Sequence, residues 1–260
     1  MSNPTLIVTG ASRGIGRSIT LLAIQNLGAN VIAVARSSEA LQQLSSHIET
    51  DLNLKDRFKF VVGDVTAEST VTEALALAAR SWSGQLDGLV LNAGVLEPVG
   101  PLSNTAVEDW KKAFDVNFFS VVTIVQHALP ALRASKGRVV LVSSGAALYP
   151  YHGWGAYSSS KAALNMFGAI LALEEPDITT VSIQPGVVDT EMQRVVREKG
   201  VEGMVPAQHA EFIYLHEHKA LLHPDLPGQV IASLALKAPS SISGKFLAWD
   251  DESLSAHRKQ

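Results

Sequence analysis

The stretch Leu6-Ile7-Val8-Thr9-Gly10-Ala11-Ser12-Arg13-Gly14-Ile15-Gly16 decides the fold. Its apolar opening reads as a buried strand, and the amphipathic run Ile15–Leu27 reads as a helix. Glycines at Gly10, Gly14 and Gly16 separate the two. Gly10 allows a tight turn, Gly14 lets backbone approach a pyrophosphate, and Gly16 lets the helix pack closely. The helix N-terminus adds free N–H groups and partial positive charge. Gly10, Ser12, Arg13, Gly14, Ile15 and Gly16 are therefore predicted to bind a dinucleotide. A strand–helix turn without a ligand would show the same glycines, so the turn carries a function only with support from the rest of the chain.

That support begins with rhythm. Short apolar runs at Leu6–Thr9, Val31–Ala35, Phe58–Val62, Gly88–Leu91, Arg138–Val142, Thr180–Gln184 and Lys245–Trp249 read as strands. Amphipathic stretches such as Ile15–Leu27, Glu39–Asp51, Glu68–Trp82 and Ala156–Leu173 read as helices between them. Alternation of this kind predicts an α/β fold: a single Rossmann-type, doubly wound domain over residues 1–260. Its seven-stranded, mostly parallel sheet should carry helices on both faces and bind ligands at the strands' carboxyl ends. From Glu191 to about Pro227 no strand is expected. Gly200, Gly203 and Pro206 interrupt this excursion, which is predicted to be a helical substrate lid over residues 191–227. A surface insertion is the alternative.

Composition narrows the class of function. The chain has 260 residues, 47% hydrophobic and 18% charged, enough to bury a core without cross-links. It has no cysteine, which excludes disulfides, Cys-based metal sites and a Cys nucleophile. Net charge is −4, with no basic stripe for nucleic acid. No apolar run is long enough to span a membrane, and the first residues do not resemble a secretory signal. A cytoplasmic location is the default expectation. No metal site is predicted; His216 and His218, two apart, would splay on a helix and read as surface residues.

The end of the second strand bears on the nucleotide. An acid there would bond a ribose 2′-hydroxyl, but Ala33-Val34-Ala35-Arg36-Ser37 has none. Arg36 can pair with a 2′-phosphate, Ser37 can donate to it, and Arg13 can reach the same group. NADP(H) is therefore the predicted cofactor, although either arginine alone could be a solvated surface residue.

Beyond these residues, ordered blocks extend along the chain: Thr9–Gly16, Gly63-Asp64-Val65, Asn92-Ala93-Gly94, Asn117, Ser143-Ser144, Tyr157–Lys161 and Pro185–Thr190. In that order they resemble the short-chain dehydrogenase/reductase family over nearly the whole chain. Leu96-Glu97-Pro98-Val99, Gly153-Trp154 and Gly186–Met192 look more particularly like its sepiapterin-reductase-like branch and are similar to microbial benzil and diketone reductases. The resemblance implies that Asp64 bonds the adenine amino group beside Val65, and that Asn92, Ala93 and Gly94 line the cofactor trough. It places Pro185 and Gly186 with Val188 and Thr190, the last two at the nicotinamide carboxamide. Asp64 could instead cap a helix, and Asn92-Ala93-Gly94 could be a plain turn.

Tyr157 and Lys161 stand at i and i+4, on one face of a helix. A cation beside a phenol favours phenolate, so Tyr157 is expected to have a lowered pKa and to act as proton donor and acceptor. The family pattern implies that Ser144 bonds the substrate oxygen, with Ser143 pointed to the other face, and that Asn117 holds a relay water. Asn117 could also be a helix-interior residue satisfied by backbone. The predicted catalytic set is Ser144, Tyr157, Lys161 and Asn117.

Leu96, Leu148, Tyr151, Trp154 and Met192 are predicted to wall an apolar substrate pocket. The expected reaction is NADPH-dependent reduction of an apolar ketone or diketone. A pterin substrate, or a non-catalytic NADP-binding regulator on the same fold, stays open. A homodimer also stays open, with the apolar stretch Ala113–Leu132 available to it.

Overall fold

Apolar runs bounded by Gly, Asn and Asp form the strands, and the amphipathic stretches between them form the helices. The computed structural model describes residues 3–258. The first half runs β1 (Thr5–Thr9), α1 (Gly14–Leu27), β2 (Asn30–Ala35), α2 (Ser38–Ser46), β3 (Phe58–Val62), α3 (Glu68–Ala79) and β4 (Gly88–Leu91). Then follow α4 (Val107–Phe114), α5 (Ser120–Ser135), β5 (Arg138–Val142), α6 (Gly155–Glu174) and β6 (Thr179–Gln184). The chain closes with α7 (Glu191–Gly203), α8 (Pro206–Glu217), α9 (Asp225–Lys237), β7 (Phe246–Ala248) and α10 (Ser255–Arg258).

The strands form one sheet in the order β3-β2-β1-β4-β5-β6-β7, and every pairing is parallel. The chain begins at the centre, winds outward to β3, then returns to β4 on the other side of β1. That reversal leaves a crevice at the carboxyl ends of β1 and β4, the switch point where such sheets bind ligands. Residue alternation builds both faces. Leu6 and Val8 pack with Ile19 and Ala23 of α1 and Ile231 and Ala235 of α9. Ile7 turns the other way, into the layer of Val71, Ile124 and Leu164 from α3, α5 and α6.

The expected strands β3, β4 and β5 match residue for residue, and β1, β2 and β6 differ by one residue. Two expectations need correction. Glu39–Asp51 is not one regular helix, because α2 gives way to a π-helical turn at His47–Asp51. The helix beginning at Glu68 stops at Ala79, and Trp82 adopts a left-handed conformation (φ 48°). No strand falls between Glu191 and Pro227, as expected; α7, α8 and the start of α9 fill the segment. Leu222 returns to bridge Val188, and the buried Pro227 already lies within α9. Among the described residues no helix is long and apolar enough to cross a membrane.

Candidate active site

Along the carboxyl edge of the sheet runs a groove of about 570 Å³. At one end it is lined by Arg36 and Ser37 after β2 and by Asp64 and Val65 after β3. Its middle is formed by Gly10, Ser12, Arg13, Gly14 and Ile15 with Asn92, Ala93 and Gly94. At the far end stand Tyr157, Lys161, Pro185, Thr190, Leu96 and Met192.

The middle is held by hydrogen bonds that the residue types dictate. Thr9 Oγ1 accepts from the Asn92 and Ala93 amides at 3.0 and 3.1 Å, and Asn92 Nδ2 donates to the carbonyls of Thr9 and Gly10 at 3.0 and 3.3 Å. This clamp joins the glycine turn to the end of β4. Gly16 lies behind it, where a Cβ would come 2.2 Å from the Gly10 carbonyl oxygen. The first turn of α1 has neither an acidic residue nor a side-chain cap, so its N–H groups face the groove without a protein acceptor of that kind.

At the β2 end, Arg36 lies 3.9 Å from the Asp64 carboxylate and is largely exposed. Asp64 Oδ1 accepts from the Thr66 amide and hydroxyl at 2.9 and 2.8 Å. Those bonds, with a smaller contribution from Arg36, hold its carboxyl below the usual range. The Ser37 hydroxyl accepts from the Ala40 amide at 3.2 Å and so caps α2.

At the far end, Tyr157 occupies the first turn of α6 and is 6% exposed. Its phenol lies near Ser144, which follows β5 and caps a short turn by accepting from the Ala146 amide at 3.1 Å. Ser143 lines the groove, and its Oγ donates to the Lys161 carbonyl at 3.5 Å. Lys161 Nζ donates to the Val142 carbonyl at 2.8 Å and sits 5.8 Å from the centre of the Tyr157 ring.

This placement corrects the expected titration. Burial pushes the Tyr157 phenol up, and the nearby Ser144 hydroxyl opposes that only in part. Burial also brings the Lys161 amine down to about 8. An amine that resists its own charge is a weak source of the field that would acidify a phenol.

Asn117 is fully buried in a π-helical turn between α4 and α5. Its Oδ1 accepts from the Val95 amide at 2.8 Å, and its Nδ2 donates to the Val95 carbonyl at 2.9 Å and to Ser160 Oγ at 3.0 Å. It thus pins the segment after β4 to α6. Gly94 leaves room beside this junction: a Cβ there would lie 3.3 Å from Asn117 Oδ1 and 3.5 Å from Lys161 Nζ. Across the groove, Thr190 caps α7 by accepting from the Gln193 amide at 3.4 Å. Val188 is buried and backbone-bridged to Leu222, and Gly186 packs under Leu222 and Trp249.

The predicted apolar wall is partly rearranged. Leu96, Trp154 and Tyr157 share a buried cluster with Ala146, Val196, Met204 and Phe212, with Tyr151 and Met192 against it. Tyr151 and Phe212 stack on Trp154 with ring centres 4.6 and 5.4 Å away. Leu148 is a correction: the turn after Ser144 leaves it 62% exposed, outside the cluster. Phe212, Met204 and Val196 were missed. The signal lay in composition, since Phe212 and Tyr214 are the only Phe, Tyr or Trp residues between Glu191 and Pro224. Among the described residues no group of His, Asp and Glu could hold a metal ion.

Comparison with known proteins agrees with this architecture. The family described as short chain dehydrogenase matches residues 4–200. The chain is 42% identical over 260 residues to the benzil reductase ((S)-benzoin forming) IRC24 of Saccharomyces cerevisiae, covering 96% of this chain and 97% of that one. It resembles the crystal structure of the YIR035C short chain dehydrogenase/reductase from the same yeast with a TM-score of 0.93 and 40% identity, over 99% and 100% of the two chains. A closed form of serine dehydrogenase complexed with NADP+ superposes with a TM-score of 0.78 at 27% identity, over 94% and 93%.

Proposed function

The chain belongs to the short chain dehydrogenase family, and on that premise we propose that it is an NADPH-dependent reductase of apolar vicinal diketones. It is an oxidoreductase, and carbonyl reduction with a nicotinamide cofactor is the activity its relatives support. The observation that carries the finer reading is the buried Tyr157 phenol, close to Ser144 and packed against an apolar aromatic cluster.

The residues present fit a dinucleotide. The acid-free first turn of α1 suits a pyrophosphate. Arg36, with Arg13 in the glycine turn, suits a 2′-phosphate. The room that Gly94 leaves beside Lys161 Nζ suits a ribose. When bound, NADPH supplies the hydride. Everything else falls to the chain's own side chains. The Ser144 hydroxyl donates to the carbonyl oxygen and stabilises the charge that grows there. The Tyr157 phenol, kept protonated by burial, gives that oxygen its proton. Lys161 holds the ribose hydroxyls, and the phosphates nearby favour its charged form. Asn117 positions α6, with Val188 and Thr190 at the carboxamide end.

A pterin would need a polar anchor at the apolar end. Glu97 is paired with Lys199, and Asp189 lines a separate pocket with Arg17 and Arg197, which favours the diketone. The test is NADPH consumption with benzil. Wild type is expected to turn over, and Tyr157→Phe to lose between about a hundredfold and ten-thousandfold in kcat while NADPH still binds. Full activity in that variant would remove Tyr157 from the reaction.

A further inference from the structure

Among the described residues, six buried side-chain polar atoms lack a hydrogen-bond partner: Thr5 Oγ1, Trp154 Nε1, Ser158 Oγ, Asn165 Oδ1, Thr180 Oγ1 and Arg258 Nε. Hydroxyls can rotate toward a nearby carbonyl, but an indole N–H is a donor only, fixed in its ring plane. Trp154 is 6% exposed and belongs to the cluster that contains Tyr157. Apart from Tyr157, the buried members around it are Leu96, Ala146, Val196, Met204 and Phe212, whose side chains offer the N–H no oxygen. A buried donor without an acceptor bears its full desolvation penalty, and a phenylalanine would fill an apolar wall without it.

We infer that the Trp154 indole N–H donates to a second substrate oxygen, next to the carbonyl held by Tyr157 and Ser144, so that the site selects vicinal dicarbonyls over simple ketones. The inference rests on the reductase reading above. The Tyr157 ring and the indole lie perpendicular with centres 5.9 Å apart, so the orphan donor and the phenol belong to neighbouring rings of one cluster. The two oxygens of a vicinal dicarbonyl sit on adjacent carbons and match that proximity. Phe212 of α8 stacks on the indole with ring centres 5.4 Å apart and leaves the in-plane N–H edge uncovered on that side. A simple ketone leaves the N–H unpaired in the complex, and a site built to bond a substrate group discriminates against the analogue that lacks it.

The experiment compares benzil with deoxybenzoin, the same skeleton with one carbonyl replaced by CH2, using NADPH and both wild type and Trp154→Phe. The loss in kcat/KM on benzil is expected to exceed the loss on deoxybenzoin by about tenfold or more. Equal losses on the two ketones overturn the inference and leave the reductase reading standing. A wild type that reduces neither ketone overturns both. Should Trp154→Phe fold poorly, 15N spectra of the wild-type complex with NADP+ serve instead, the Trp154 indole resonance being assigned through variants of Trp82, Trp110 and Trp249. Benzil is expected to shift that resonance downfield, and deoxybenzoin to leave it in place; the same response to both ketones overturns the inference.

Discussion

Lys161 shows how burial can reverse a sequence-based expectation. From spacing alone it is a cation beside a phenol. Within the fold it is 4% exposed, bonded to the Val142 carbonyl, and its pKa falls from 10.5 to about 8. The consequence for stability has a definite sign. Between about pH 8 and 10.5 the unfolded chain holds the proton that the folded chain has shed, so stability rises with pH across that window. Lys161→Met has no such proton. From about pH 7 to pH 9 the unfolding free energy of wild type should gain about 1 kcal/mol relative to that variant, as measured by urea titration without cofactor. A constant difference would mean that the amine keeps its charge when buried. The sequence could name Tyr157 and Lys161 because an i,i+4 pair needs only helical geometry. It could not order their titrations, since desolvation depends on what packs above them. Leu148 was misread for a related reason: side-chain direction in a short turn leaves no periodic signature.

At the scale of elements, the turn between β2 and α2 addresses cofactor choice. Arg36 is held only loosely, at 3.9 Å from Asp64. Arg36→Glu should lower kcat/KM for NADPH between about tenfold and a hundredfold, the worth of a charge-assisted hydrogen bond. The new acid would meanwhile bond a free 2′-hydroxyl and favour NADH. Parallel losses with both cofactors would show that Arg36 does not read the phosphate. The corner between α7 and α8 is held more firmly. His152 Nδ1 bonds the Gly203 carbonyl at 2.9 Å, and the Gln208 side chain accepts from the His152 amide at 3.0 Å. A Cβ on Gly203 would come 2.8 Å from Val99 and 2.9 Å from the Gly100 nitrogen. Gly203→Ala should therefore lift this corner, raising KM for the carbonyl substrate while leaving the NADPH dissociation constant unchanged. An equal loss of NADPH affinity would count against a lid that serves the substrate alone. The strands were legible because runs such as Gly88–Leu91 are bounded by turn residues on both sides. The docking of α8 through Phe212 was not, because the helix is followed by exposed residues and its one buried aromatic carries no period.

The molecule as a whole is organised around α6, whose two faces serve different ends. Tyr157, Ser160, Lys161 and Leu164 point inward, to the groove and the sheet. Outward, Met166, Ile170 and Leu173 are 63%, 45% and 81% exposed, at helical spacings that form one stripe. Beside α6 lies the π-helical turn that precedes α5. Phe118 meets Phe167 at 6.1 Å and Phe119 at 5.3 Å, and Phe119 is itself 54% exposed. Exposed apolar side chains grouped on one helix face suit a contact surface, and two copies of one helix stripe can meet about a two-fold axis. Sedimentation is therefore expected to give a dimer or a multiple of it. In such an interface each side chain counts on both copies, so Met166→Glu combined with Ile170→Glu places four carboxylates against each other. That variant should sediment as a monomer and still bind NADPH, because neither residue lines the groove. A wild type that is monomeric at micromolar concentration would assign the stripe no part in self-association. A monomeric variant with intact turnover would show that each groove works without its neighbour.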